Sequence, residues 1–239
     1  MKNNFLNKKV LITGNTGFKG TWLSLWMYHL GAKVMGLSNG ITSTPSNFKI
    51  LKLENRIIHK KVDIRNFNNT SKVILKFQPD YIFHLAAEAI VKKAYVNPKY
   101  AWETNTFGTI NILEALKKIK KNVIAIIVTS DKVYKNLEIS RGYNENDILG
   151  GTDPYSASKA AADIATQSYI DCDLKYKKNI KICIARAGNV IGGGDWSEGR
   201  IIPDCIKRWS KDKKVKIRNP NSTRPWQHVL DVLNGYMNL

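Results

Sequence analysis

The sequence predicts an α/β protein, a doubly wound parallel sheet followed by part of a smaller lobe. Three observations predict it. Short, largely apolar runs at 10–13, 33–37 and 123–128, the last rich in β-branched residues, recur at spacings that leave room for helices between them, as parallel βαβ units require. The first run passes directly into Gly14-Asn15-Thr16-Gly17-Phe18-Lys19-Gly20 and then into a helical pattern. The run at 123–128 turns abruptly polar at Thr129-Ser130-Asp131-Lys132, and open α/β sheets keep their ligands at the carboxyl ends of such strands.

The bulk numbers narrow the function classes. At 239 residues the chain suffices for one large domain, or one domain and part of a second. Lys and Arg number 38 against 19 for Asp and Glu, a formal net charge of +19. A polyanion partner is one reading of that balance. The lysine clusters at 117–121 and 175–178 read better as helix C-termini, where cations complement the dipole, so no nucleic-acid partner is expected. Cys172, Cys183 and Cys205 have no metal-ligand spacing and form no even set. No metal is expected, and a reducing, cytoplasmic setting is. The N-terminus is polar and basic, and no apolar stretch is long enough to span a bilayer, so neither a signal peptide nor a membrane partner is expected.

In chain order, 10–13 is the first strand. The helix after the glycine turn places Leu23, Trp26 and Leu30 on one face and stops at Gly31. Residues 33–37 form the second strand. Strand, glycine turn, helix, strand is the Rossmann context in which glycines let the backbone approach a pyrophosphate and the helix N-terminus supplies N–H donors. The second strand ends at Ser38-Asn39, with neither an acid nor a base, so this position does not decide NAD against NADP. Residues 39–55 read as loop and 59–62 as a third strand running into Asp63-Ile64. A fourth strand near 80–85 passes into Leu85-Ala86-Ala87 and Glu88, small residues suited to close approach. His84 reads as structural. A helix over 102–118 contains Asn105.

After the strand at 123–128 and a polar loop, Asp153-Pro154 read as the cap and first turn of a helix. Tyr155 and Lys159, four apart, share one face of it. A tyrosine is a poor base at neutral pH; a neighbouring cation, together with the positive nicotinamide, stabilises the phenolate and is expected to bring Tyr155 toward the working range. Residues 180–186 are the next strand. Beyond it, Asn189, Arg200, Arg218, Arg224 and His228 lie in Gly-, Pro- and Trp-bearing segments, where arginine suits bidentate phosphate recognition. The expected division is 1–187 for the dinucleotide and 188–239 for the substrate, the two interleaved.

The form Thr-Gly-x-x-Gly-x-x-Gly with Tyr-x-x-x-Lys resembles the extended short-chain dehydrogenases/reductases. Thr129-Ser130-Asp131-Lys132-Val133-Tyr134, Asn189-Val190-Ile191-Gly192-Gly193-Gly194-Asp195-Trp196 and Arg224-Pro225-Trp226-Gln227-His228-Val229 narrow the likeness to nucleotide-sugar 4,6-dehydratases. Lysine after Asp131, where dTDP-glucose relatives carry glutamate, resembles the CDP-glucose branch. The resemblance implies NAD held by Gly14, Asn15, Thr16, Gly17, Phe18, Gly20, Asp63, Ile64, Leu85, Ala86, Ala87, Asn105, Tyr155 and Lys159. It implies a nucleotide sugar held by Glu88, Asn189, Arg200, Arg218, Arg224 and His228, and a homo-oligomer is expected. It further implies that Tyr155, with Ser130, takes the O4 proton as C4 is oxidised, that Lys132 removes the C5 proton and that Asp131 protonates the departing C6 hydroxyl. Family members continue substantially beyond Leu239, so an incomplete substrate lobe is expected, with NAD binding surviving better than turnover. Two other readings stay open: a 4-epimerase or reductase of the same superfamily, and a non-catalytic nucleotide-binding protein.

Overall fold

The computed structural model describes residues 2–217 and 219–239. The chain begins α1 (Lys2–Phe5), β1 (Lys9–Thr13), α2 (Phe18–His29), β2 (Lys33–Ser38), α3 (Asn47–Ile50), β3 (Ile58–Lys61) and α4 (Phe67–Phe77). It continues β4 (Tyr81–His84), α5 (Val91–Val96), α6 (Pro98–Trp102), α7 (Gly108–Lys117), β5 (Val123–Val128) and α8 (Pro154–Cys172). The last elements are β6 (Ile180–Ala185), β7 (Asn189–Ile191), α9 (Ile201–Trp209), β8 (Trp226–His228) and α10 (Val229–Asn238).

Six strands pair in the order β3-β2-β1-β4-β5-β6, every neighbour parallel. The order reverses between β1 and β4, which opens a crevice at the carboxyl ends of those two strands. The strands are apolar throughout because both faces are covered. Val10, Ile12, Phe83, Ile126 and Val128 pack on one side with Leu23 and Met27 of α2 and with Val229, Leu233 and Tyr236 of α10. Leu11, Ile82, Ala125 and Ile127 pack on the other with Ile74 of α4 and Ile112 and Leu116 of α7. Leu23 and Met27 are both 0% exposed, and burying each stabilises by about 1.5–3 kcal/mol.

Four details differ from the sequence expectation. Trp26 and Leu30 only edge the core; the buried face of α2 is Leu23 and Met27. The stretch 39–55 is not all loop: α3 and a 3₁₀ turn at Leu53–Asn55 sink Phe48 and Leu53 into the core beside α2. The expected helix over 102–118 is α6, a π turn at Glu103–Phe107 and then α7. Such a turn inserts a residue into the helical register, and this one carries Asn105, fully buried. The lysines at 175–178 do not close α8, whose last turn holds no basic residue; they begin in a 3₁₀ turn beyond it.

After β6 the chain forms a separate two-stranded parallel pair, β7 with β8, in which Asn189 faces Trp226 and Ile191 faces His228. It then returns through α10 to the sheet.

Candidate active site

The glycine turn is shaped by packing as well as by what it can hold. Gly14 has φ +73°, and a Cβ there would lie 2.8 Å from the Ala86 nitrogen. A Cβ on Gly20 would lie 2.1 Å from the Gly14 carbonyl oxygen. Only glycine lets β1, the turn and α2 close together against the end of β4. Gly17 is the N-cap of α2 and has no side chain to satisfy the first-turn N–H groups, so the helix presents donors and positive potential there. Phe18 is buried behind the turn and meets Gly192. Thr16 Oγ1 donates to the Gly40 carbonyl at 2.6 Å. Asn15 is buried, its Nδ2 3.2 Å from His59 Nδ1, and Asn15 Oδ1 and Ser38 Oγ are buried without a partner. The end of β2 therefore keeps unspent hydrogen-bonding capacity.

Asp63 accepts from the Arg65 guanidinium, the shortest contact being 2.6 Å, and from Asn39 Nδ2 at 3.2 Å. The hydrogen bond from Arg65 holds its carboxyl below the usual range. The next helix, α4, is capped by Asn66, which accepts from the Asn69 N–H. Ile64 is buried against Gly108.

At the end of β4, Thr13 Oγ1 accepts from the Leu85 and Ala86 N–H groups, both at 3.1 Å. Its proton therefore points at His84 Nδ1, 2.7 Å away. That fixes the tautomer: His84 carries its proton on Nε2 and gives it to Thr109 Oγ1 at 3.0 Å. Burial pushes His84 down to about 3, so it stays neutral and structural. Asn105 Oδ1 accepts from the Glu88 N–H at 2.8 Å, and its Nδ2 donates to Ser158 Oγ at 2.9 Å and to the Glu88 carbonyl at 3.2 Å. Asn105 thus fixes the backbone of Glu88 and braces it on α8. Ala87 lies between Ala86 and Glu88 and is partly exposed. Glu88 and Ile90 line a cavity of about 440 Å³ with Tyr100, Glu198 and Gly199.

The polar end of β5 forms a short 3₁₀ turn, Asp131–Val133, capped by Ser130. Ser130 Oγ accepts from the Lys132 N–H at 3.2 Å and donates to Asp131 Oδ1 at 3.0 Å. Opposite it, Asp153 caps α8 by accepting from the Tyr155 and Ser156 N–H groups at 2.9 and 3.1 Å. Lys132 Nζ lies 5.9 Å from the centroid of the Tyr155 ring. Lys159 is buried and donates to the Val128 carbonyl at 2.7 Å. Burial pushes its amine down to about 7, the charge of Lys19 adding to the effect and Asp163 opposing it.

Among the chain's own groups, the neighbouring cation does not lead at Tyr155. Burial dominates and pushes its phenol up; the counterweights are the Ser130 hydroxyl, then Lys19 and Arg200. The cation four residues on does not lead, because Lys159 is itself desolvated and turned toward Val128. Lys19, missed as a site residue although it sits inside the glycine motif, donates to Tyr236 Oη at 3.0 Å and so lies where its charge reaches both groups.

Of the residues expected to hold a substrate, Arg200 precedes α9 and pairs with Asp195 at 2.9 Å. Asn189 opens β7 and is partly exposed. Arg224 is exposed and donates to the adjacent Thr223 carbonyl. His228 caps α10 through Nδ1, which accepts from the Leu230 N–H at 3.3 Å. Arg218 lies outside the described residues. The structure thus gathers Ser130, Asp131, Lys132, Tyr155 and Lys159 at one strand end; no hydrogen bond or ion pair joins Arg224 or His228 to them among the described residues. Among those residues no helix is long and apolar enough to cross a membrane, and no group of three or more His, Cys, Asp or Glu could hold a metal.

Comparison with known proteins matches residues 11–239 to the GDP-mannose 4,6 dehydratase family. A CDP-glucose 4,6-dehydratase of Salmonella typhimurium is 41% identical over 240 residues, which cover 99% of this chain and 67% of that protein. The structure of an epimerase from Methanothermobacter thermautotrophicus superposes with a TM-score of 0.87 at 27% identity, over 99% of this chain and 68% of the other. A dTDP-glucose 4,6-dehydratase of Bacillus anthracis in complex with NAD superposes with a TM-score of 0.79 at 24% identity, over 95% and 69%.

Proposed function

Because the chain belongs to the GDP-mannose 4,6 dehydratase family, within the extended short-chain dehydrogenases/reductases, we propose that it converts CDP-D-glucose to CDP-4-keto-6-deoxy-D-glucose and water. The observation that carries this reading is the 41% identity to a CDP-glucose 4,6-dehydratase over 99% of the chain, together with Asp131 and Lys132 standing beside Tyr155.

The cofactor is NAD, the group with which a dehydratase of this fold has been crystallised. The residues present fit it: glycines 14 and 20 where any Cβ would collide, an uncapped α2 N-terminus, and the orphaned Asn15 Oδ1 and Ser38 Oγ at the end of β2. When bound, it supplies a reversible hydride acceptor, so that the sugar is oxidised at C4 and reduced at C6 with no net redox change. Residues 1–187 hold it and 188–239 shape the substrate side.

The rest belongs to the chain's own groups. Tyr155 Oη takes the proton of the sugar O4 hydroxyl, with Ser130 Oγ sharing that hydrogen bond. Lys159 holds the ribose next to the reacting ring. A ketone at C4 acidifies the C5 proton, which Lys132 Nζ removes, Asp131 gives a proton to the C6 hydroxyl as it leaves as water, and a proton exchanged with solvent returns to C5 as C6 is reduced. Asn105 steadies Glu88 toward the sugar, Asn189, Arg218, Arg224 and His228 meet the nucleotide diphosphate, and Arg200 belongs to the substrate side. The test is incubation with CDP-glucose and NAD followed by mass analysis of the nucleotide product.

A second reading has one observation behind it, the 0.87 TM-score to an epimerase. A 4-epimerase needs Tyr155 and Lys159 but not the Asp131-Lys132 pair. Its product has the mass of the substrate, so the same experiment separates the two.

A further inference from the structure

Behind the Ser130-Asp131-Lys132 turn lies a largely buried ion pair that no step above uses. Asp163 is fully buried on α8, one turn after Lys159, so Tyr155, Lys159 and Asp163 make a ladder at i, i+4 and i+8. Its carboxylate accepts from Arg186 Nε and Nη2, each at 2.9 Å, from Thr129 Oγ1 at 2.9 Å and from Gln167 Nε2 at 2.6 Å. Arg186, directly after β6, spends its remaining Nη1 on Tyr134 Oη at 3.0 Å and the Glu145 carbonyl at 3.2 Å. Its guanidinium carbon lies 5.1 Å from the centre of the Tyr134 ring, which stacks on Tyr143 at 5.2 Å.

The partners fall at telling places. Thr129 immediately precedes Ser130. Tyr134 follows Lys132 by two residues. Asp163 follows Lys159 by one turn. The pair therefore ties both flanks of the turn that carries Asp131 and Lys132 to the helix that carries Tyr155 and Lys159. It also fastens the loop around Glu145. A buried carboxylate paired with a largely buried guanidinium is a costly way to gain stability alone, since well-packed apolar residues often do as well. They do fix geometry, because a guanidinium fork accepts few arrangements.

We propose that Arg186, together with Asp163, is a positioning clamp that holds Asp131 and Lys132 in register with Tyr155 and Lys159, so that C5 deprotonation and loss of the C6 hydroxyl follow C4 oxidation without delay. The proposal rests on the dehydratase reading above. Arg186 touches none of the reacting atoms; it acts through the turn. Displacing Lys132 by about 1 Å costs on the order of 100-fold in the step it serves, while C4 oxidation, which needs Tyr155 and Lys159, is spared.

The experiment compares wild type, R186M, R186K and Y134F with CDP-glucose and NAD in single turnover, following reduced-cofactor absorbance, deuterium entry at C5 and product mass. In R186M, dehydration and C5 exchange are expected to fall about 100-fold, with KM changed by less than about threefold and reduced cofactor accumulating. R186K, which keeps a charge on Asp163 but loses the arm to Tyr134, is expected to recover part of that loss. Equal losses of C4 oxidation and dehydration, or wild-type dehydration in R186M, would overturn the clamp. If R186M does not fold, Y134F decides, because it leaves the ion pair whole: slowed C5 exchange at unchanged melting temperature supports the clamp, and unchanged exchange refutes it. If wild type does not dehydrate CDP-glucose, the function assigned above fails. Amide hydrogen exchange of residues 129–135 then judges the clamp by itself, with faster exchange in Y134F supporting it and unchanged protection refuting it.

Discussion

Lys132 and Tyr155 stand 5.9 Å apart, amine to ring centre, and the proposed dehydration gives them different proton transfers. The K132A variant is therefore expected to bind NAD with unchanged affinity, by calorimetry, and to lose about 10²–10⁴-fold in dehydration. Normal turnover in that variant would remove Lys132 from the mechanism. That Tyr155 and Lys159 share one face of α8 was legible from their spacing, since residues four apart on a helix are neighbours. Asp163 continues that spacing by one more turn. Its meaning was not legible, because its partner Arg186 is 23 residues away in sequence and meets it only once β6 lies beside β5. The weight of burial on the Tyr155 phenol was hidden for a related reason. A sequence reveals that a cation is near but not how deeply both groups are buried, and here burial leads.

At the scale of elements, the glycine turn makes the sharpest claim. A Cβ on Gly20 would sit 2.1 Å from the Gly14 oxygen, so G20A must push α2 away from the turn. Overpacking of this kind costs about 1–3 kcal/mol. G20A is expected to melt earlier and to weaken NAD binding by at least about tenfold, measured by thermal denaturation and titration; unchanged affinity would mean that the α2 terminus does not hold the pyrophosphate. This turn and the strands were legible because glycine spacing and apolar runs are local signals. The π turn at Glu103–Phe107 was not. Nothing in Glu103-Thr104-Asn105-Thr106-Phe107 marks an inserted residue, and the reason for it is tertiary: Asn105 must reach Glu88 and Ser158 at once. The helical turn within 39–55 was hidden in the same way, its apolar anchors Phe48 and Leu53 being scattered among polar neighbours.

For the molecule as a whole, parallel strands joined by helices were readable, whereas the strand order and the return of α10 onto the face shared with α2 depend on long-range packing. Whole-molecule stability should carry the imprint of two buried bases. His84 is held near 3 in the fold against about 6.5 unfolded, so the unfolded chain binds the extra proton and stability falls as pH drops through that window. Lys159 is held near 7 against about 10.4 unfolded, so stability rises as pH climbs from about 7 to about 10. Denaturant unfolding across pH checks both: K159M should flatten the alkaline rise, and an unaltered slope would contradict the burial of that amine. The central claim, that this chain removes water from a nucleotide sugar by way of Lys132 and Asp131, meets its most direct test in the mass of the product formed from CDP-glucose and NAD. The account predicts a nucleotide sugar lighter by one water, with a keto group at C4 and a methyl at C6; a product of unchanged mass, whether epimer or intact substrate, would contradict it.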